Sequence, residues 1–149
     1  MSERRTILVV DDTPRNVKFL ADLLGAKAYA VRTADSGEAA LAEIQRSCPD
    51  LVLLDVMMPR MSGYEVCRAI RGNPETRLLP VVMVTALDPG EERVKGIEAG
   101  ADDFLTKPVN TAELLARVRS LLRIRELHET VLAQSAELAE WNRTLERRV

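Results

Sequence analysis

The chain has 149 residues, of which 46% are hydrophobic and 30% are charged. This length and balance predict one folded domain with a sizeable core rather than a disordered chain. Its 21 basic and 23 acidic residues leave a formal charge of -2, so we expect neither nucleic-acid binding nor attachment to anionic membranes. The first apolar run, Ile7 to Val10, is too short for a signal peptide or a membrane span, and we expect a cytoplasmic protein.

Short aliphatic runs then alternate with stretches of helical periodicity, five times between residue 6 and about residue 125. This alternation predicts βα units and a parallel sheet. Cap signals at Thr13-Pro14, Asp88-Pro89 and Asn110-Thr111 mark helix starts. Five units with right-handed crossovers predict an α/β, doubly wound, flavodoxin-like sheet of order 2-1-3-4-5. The predicted strands are Thr6–Asp11, Ala28–Thr33, Leu51–Asp55, Val81–Thr85 and Asp103–Thr106.

Polar residues collect at the ends of four of these strands. They are Asp11, followed by Asp12, at the end of the first, Asp55 at the end of the third, Thr85 at the end of the fourth and Lys107 just after the fifth. The switch point of a 2-1-3-4-5 sheet lies between strands one and three, so the three carboxylates should meet there. Three like charges within about 6 Å repel one another unless a cation neutralises them. An all-oxygen site without nearby His or Cys favours Mg²⁺.

A carboxylate beside a metal, a lysine and a threonine hydroxyl are the groups that phosphoryl transfer requires. Asp55 is the candidate nucleophile and would form an acyl phosphate. The alternative is an aspartate-nucleophile phosphatase of the HAD-like type. Such enzymes have an Asp-x-Asp pair after the first strand, whereas here the pair is adjacent and the nucleophile follows the third strand. A flavodoxin-like cofactor binder and a purely structural dimerisation module are further alternatives.

Four motifs in this order resemble the response-regulator receiver (CheY-like) domain of two-component signalling. They are VVDD (9–12), LLDVMMPRMSG (53–63), VVMVTA (81–86) and DDFLTKP (102–108). The resemblance covers about residues 5–125. It implies a regulatory domain that accepts a phosphoryl group from a sensor histidine kinase or phosphotransfer protein. Such a domain is not an enzyme on other substrates, since it catalyses only its own phosphorylation and dephosphorylation.

The resemblance also implies a role for each matching residue. Asp55 would be the phosphoacceptor. Asp12, Asp55 and the Met57 carbonyl would bind Mg²⁺ directly, with Asp11 acting nearby. Thr85 and Lys107 would contact the incoming phosphoryl group. Thr85 would then move toward the phosphorylated Asp55, and Phe104 would rotate into the vacated space, repacking the face formed by the fourth helix, fifth strand and fifth helix.

From Ile124 onward the apolar residues follow a heptad pattern that only Gln134 and Arg148 interrupt. The pattern predicts a coiled-coil helix continuous with the fifth helix, so that a receiver domain at 1–123 precedes a linker helix at 124–149. We expect a parallel homodimer through 124–149; a helix that folds back on its own domain is the alternative. The seam residues are Ile124, Leu127, Val131, Leu138, Trp141 and Leu145.

The segment from Arg123 to Val149 carries five basic and five acidic residues, which disfavours a DNA-contacting helix. It resembles signalling helices ahead of nucleotide-cyclase or diguanylate-cyclase outputs. We therefore expect a fused output domain in the full-length protein.

Overall fold

The computed structural model describes residues 4–86 and 89–148, with side chains for all of these except 89–93 and 144–148. Five parallel strands form one sheet of order β2-β1-β3-β4-β5, which confirms the predicted topology. The elements in chain order are β1 Thr6–Val10, α1 Pro14–Ala26, β2 Ala30–Ala34, α2 Gly37–Arg46, β3 Leu51–Asp55, α3 Gly63–Gly72, β4 Val81–Thr85, α4 Pro89–Ala99, β5 Asp103–Thr106 and α5 Thr111–Arg148.

Alternate strand residues face two separate layers of the core, because successive side chains of a strand point to opposite faces. On one face, Ile7 and Leu53 pack with residues of α1 and α5, including Leu24 and Val118. On the other face, the neighbouring strand residues pack with α2, α3 and α4. Both faces are covered, which explains the continuous apolar runs in β1, β3 and β4.

The predicted bounds of two strands were wrong by one or two residues. β1 ends at Val10, although the Asp11 amide still donates to the Ala34 carbonyl at 3.2 Å. β2 begins at Ala30 rather than Ala28, because residues 24–29 are closing α1. Ala28 has a φ of 69°, and the Tyr29 amide donates back to the Leu24 carbonyl at 3.2 Å, which is the hydrogen bond of a Schellman motif.

The predicted helix starts at Thr13-Pro14 and Asn110 are confirmed. Pro14 is the first residue of α1, and the Asn110 Oδ1 accepts a hydrogen bond from the Glu113 amide at 2.9 Å at the start of α5. Asp88 of the third predicted start lies outside the described residues, and α4 begins at Pro89.

Helix α5 is continuous from the core of the domain into the predicted linker. Leu114, Val118 and Leu122 are buried, and Leu122 is the last buried residue of α5 among the side chains described. From Glu126 to Arg143 every residue is exposed, so the linker does not fold back on the domain. Among the described residues, no helix is long and apolar enough to cross a membrane.

Where α5 leaves the domain, Arg5 connects it to the edge of the sheet at which β1 begins. The Arg5 guanidinium lies 2.9 Å from Glu126 Oε1 and 3.8 Å from Glu129 Oε2. It also lies 3.3 Å from Asp50 Oδ1, and the other oxygen of Asp50 accepts the Thr6 amide at 2.7 Å. The first turns of the linker are therefore tied to both β1 and the start of β3.

Candidate functional site

Three carboxylates meet where strands β1 and β3 end side by side. Val10 pairs with Leu54 in the register of these strands, so Asp11 and Asp55 are brought to the same edge. Asp11, Asp12 and Asp55 each offer a carboxylate oxygen within 4.8 Å of the other two. Asp11 is 2% exposed and Asp55 5% exposed, whereas Asp12 is exposed. The cluster thus has two buried members and one that opens to solvent.

The first turn of α1 fixes the Asp11 carboxylate. One oxygen accepts the Thr13 amide at 2.9 Å, and the other accepts the Asn16 side-chain amide at 3.2 Å. Sequence reasoning missed Asn16. The signal available was an amide side chain in the first turn after an acidic strand end, a common capping pattern that does not by itself indicate a site.

The ammonium group of Lys107, which follows β5, lies beside this cluster. Its ammonium lies 3.3 Å from Asp55 Oδ1 and 3.4 Å from Asp11 Oδ2. The Lys107 amide also donates to the Thr85 carbonyl at 2.7 Å, which links the ends of β4 and β5. The Lys107-Pro108 peptide bond is cis.

Thr85 lies at the end of β4, one residue beyond the partner of Asp55 in the strand register. It is 2% exposed. The structure therefore places Asp11, Asp12, Asp55, Thr85 and Lys107 at one edge of the sheet, as the strand ends predict.

The site carries a net negative formal charge, because its three carboxylates outnumber the single ammonium group of Lys107. Burial, and then repulsion from Asp11, raise the pKa of Asp55 to about 6, although Lys107 opposes the change. Burial lowers the pKa of Lys107, but attraction by Asp55 and Asp11 outweighs it, so this pKa lies above its ordinary value. Three carboxylate oxygens that lie this close together, two of them on buried residues, fit a divalent cation such as Mg²⁺, which would offset their repulsion.

The loop after β3 returns close to the phosphoacceptor candidate. A β-carbon on Gly63 would lie 2.4 Å from the Asp55 carbonyl oxygen and 2.9 Å from the Val56 Cα. Only glycine leaves room for this approach of α3 to the strand end. Met57 is in the same loop, two residues after Asp55, and is 60% exposed.

Phe104 lies on β5 next to Met83 of β4, and β4 separates it from the carboxylate that ends β3. It is partly buried and packs against the core layer that includes Ala99 of α4. The ring also contacts Gly96 of α4. The predicted switch aromatic thus lies on β5 against α4, apart from the acidic cluster.

Comparison with known proteins gives a family match over most of the chain. The model of the response regulator receiver domain matches residues 7–119. Response regulator PleD of Caulobacter vibrioides (strain NA1000 / CB15N) is 53% identical over 119 residues, which are 80% of this chain and 26% of PleD. Response regulator MprA of Mycobacterium ulcerans (strain Agy99) is 45% identical over 132 residues, which are 89% of this chain and 56% of MprA. The chain thus spans about a quarter of PleD and about half of MprA.

A solved structure agrees with the fold. The signal receiver domain of a signal transduction histidine kinase from Syntrophus aciditrophicus is 36% identical, with a TM-score of 0.76 over 80% of this chain and 90% of that one. These likenesses favour the receiver interpretation over the phosphatase alternative. The family match and the shared fold together show that the chain belongs to the response regulator receiver domain family of two-component signalling.

Proposed function

We propose that Asp55 accepts a phosphoryl group from the phosphohistidine of a sensor histidine kinase or phosphotransfer protein. The observation that carries this proposal is the meeting of three carboxylates within 4.8 Å, with the Lys107 ammonium within 3.4 Å of two of them. A carboxylate oxygen of Asp55 attacks phosphorus, a P–O bond forms, and the P–N bond of the donor breaks with its electron pair leaving on the imidazole.

Asp11, Asp12, Asp55 and the Met57 carbonyl are the groups that would hold Mg²⁺. When bound, the ion offsets charge on the phosphoryl oxygens during transfer. Lys107 does the same from the β5 side and holds Asp55 in place, because its ammonium touches the carboxylate directly. Thr85 offers its hydroxyl to the phosphoryl group from the adjacent strand end.

Intact-mass measurement tests this proposal. The protein is incubated with acetyl phosphate and Mg²⁺, and the expected result is a mass gain of one phosphoryl group that hydroxylamine removes, since hydroxylamine cleaves acyl phosphates. Asp55→Asn should show no gain, and Lys107→Ala should show a slower one. Asp35→Asn is the matched control, because Asp35 is an exposed carboxylate that follows β2 at the same edge. A gain that persists in Asp55→Asn would overturn the assignment.

The switch that we propose involves Thr85 and Phe104. Phosphorylated Asp55 attracts the Thr85 hydroxyl, and the Phe104 ring moves into the space that Thr85 leaves, which repacks α4, β5 and α5. Two features support this: Thr85 is buried at the strand end beside Asp55, and Phe104 lies on the next strand in contact with α4.

We further propose a linker at 124–149, following the receiver domain at 1–123, that forms a parallel two-stranded coiled coil with a second copy. At about 100° per residue, Leu127 and Val131 lie roughly 100° to 180° around α5 from the buried residues Leu114 and Val118, and Ile124 lies roughly 80° to 120° from them. The described seam residues are 59–62% exposed: Ile124, Leu127, Val131, Leu138 and Trp141. Leu145 and Arg148 of the predicted seam lie outside the described side chains. Burial of such residues against a partner helix would stabilise a dimer.

Two substitutions on the same helix test the seam. Leu127→Glu should convert the dimer to monomers in analytical ultracentrifugation, because it places a charge at the helix interface. Leu132→Glu is the matched control, since Leu132 is similarly exposed at 53% but lies off the seam. Loss of the dimer in the control alone, or in neither variant, would contradict the proposed register.

A fused output domain beyond the linker completes the proposal, and the greater length of PleD and MprA supports it.

A further inference from the structure

Gly96 is buried inside α4, at a position where glycine is a poor helix former. A β-carbon there would lie 1.7 Å from Cζ of Phe104, and 2.5 and 2.8 Å from its two Cε atoms. These distances are far below van der Waals contact, so the ring occupies the space that any other side chain at position 96 would fill. We call this the Phe104–Gly96 contact.

Helix α4 is held so that it cannot easily move away from the ring. The Gly96 carbonyl accepts the Ala101 amide at 2.9 Å, and the Ile97 carbonyl accepts the Gly100 amide at 3.0 Å. With Gly100 at a φ of 99°, these bonds form a Schellman motif that ties Gly96 to the segment leading into β5. The distance between Gly96 and Phe104 is therefore set by a short, hydrogen-bonded connection.

Arg71 of α3 fixes the same connection from outside. Its Nε donates to the Gly100 carbonyl at 2.8 Å, and its guanidinium pairs with Asp102 at 2.7 Å. Asp102 in turn accepts the Val81 amide at 2.8 Å. With both ends of the connection held, a methyl group at position 96 would be accommodated mainly by movement of the ring.

We propose that Gly96 is a positioning residue of the switch, since its missing side chain allows the Phe104 ring to lie on α4. This inference rests on the proposed function, in which Phe104 moves when Asp55 is phosphorylated. In this proposal the ring leaves the Phe104–Gly96 contact when it moves into the space beside Thr85, and a β-carbon at position 96 excludes the contact. Gly96→Ala should therefore drive the ring toward its other position without any phosphoryl group.

A double-mutant cycle on unphosphorylated protein tests the contact itself. In the Phe104→Ala background, Gly96→Ala should raise the folding equilibrium constant about fivefold, because alanine is the better helix former. In the presence of Phe104 it should instead lower the constant about tenfold, because the added methyl overpacks against the ring. The resulting coupling is about 50-fold. A coupling below about threefold would overturn the proposal.

Gly25→Ala is the matched control for the cycle. Gly25 also lies in a helix, but nothing stands within 4 Å of an added β-carbon. Its substitution should stabilise the protein equally with and without Phe104. The control thus separates helix propensity from the steric effect of the ring.

Aromatic ¹³C spectra of phenylalanine-labelled protein give a readout that a merely structural role would not move. The chain has two phenylalanines, and the exposed Phe19 serves as the reference for Phe104. In unphosphorylated Gly96→Ala, the Phe104 resonances should shift toward those of wild type treated with acetyl phosphate and Mg²⁺. Resonances that stay at the unphosphorylated wild-type positions would overturn the switch role of Gly96.

Failure of this inference is distinguishable from failure of the proposed function. If wild type gains no phosphoryl mass, the phosphoacceptor proposal fails and the switch role of Gly96 fails with it, while the cycle still decides whether the contact exists. If wild type is phosphorylated but Gly96→Ala leaves the ring resonances unchanged, only the inference about Gly96 fails.

Discussion

Replacing Asp55 with asparagine should stabilise the metal-free protein at neutral pH and much less in acid. Asp55 is 5% exposed, and burial followed by repulsion from Asp11 raises its pKa to about 6. An aspartate in the unfolded chain titrates near 3.9, so the folded protein holds this proton more tightly. The free energy of unfolding therefore falls as the pH rises from about 4 to about 6, and it stays low above that window.

The size of the effect follows from the two pKa values. At about 1.4 kcal/mol per pH unit, the ionised carboxylate costs the folded state about 3 kcal/mol at pH 7.5 and about 1 kcal/mol at pH 4.5. Asparagine has nearly the same shape, carries no charge and keeps an oxygen for Lys107. The stability gained by Asp55→Asn should therefore be about 2 kcal/mol larger at pH 7.5 than at pH 4.5.

Urea unfolding followed by circular dichroism, with EDTA present, measures this difference. Adding millimolar Mg²⁺ should reduce the advantage of the variant, because an ion held by three carboxylates stabilises wild type more than a variant with two. Asp35→Asn serves as the control for removal of an exposed carboxylate. An equal gain at both pH values, or a variant less stable than wild type at pH 7.5, would refute the reasoning.

Two further substitutions probe how the site and the linker are held. Gly63→Ala should destabilise the protein by about 3 kcal/mol, since the added carbon meets the backbone of Asp55 and Val56 at 2.4–2.9 Å and neither can move aside. Denaturation of Gly25→Ala, which should be slightly stabilising, provides the comparison. Arg5→Gln should cost about 1 kcal/mol at low salt and less at high salt. It should also accelerate amide hydrogen exchange around Glu126 in the linker, and unchanged protection there would count against the Arg5 connection.

The fold could be predicted from the sequence because its signals are local. Continuous apolar runs identified β1, β3 and β4, and caps identified the starts of α1 and α5. The start of β2 was missed because Ala28 adopts the left-handed conformation that closes α1. Glycine is the usual residue at that position. An alanine there therefore did not indicate that the turn closing α1 extends as far as Tyr29.

The charged residues of the candidate site could be predicted from the sequence. The glycines that let neighbouring elements approach closely could not. Asp11, Asp55 and Lys107 end predicted strands, and the strand order alone brings them to one edge. The contributions of Gly63 and Gly96 depend instead on how closely two elements approach after folding. A glycine in the sequence does not reveal that distance, and at Gly25, also in a helix, nothing stands within 4 Å of an added β-carbon.

The uninterrupted course of α5 has a mechanical consequence. Beyond Leu122 the helix continues for 26 residues to Arg148, which at 1.5 Å per residue makes an arm of about 39 Å. A tilt of about 5° where the arm leaves the domain moves its far end by about 3 Å, which is enough to separate two side chains in contact. A tilt of α5 too small to alter the receiver core would therefore displace the far end of the helix enough to change its side-chain contacts.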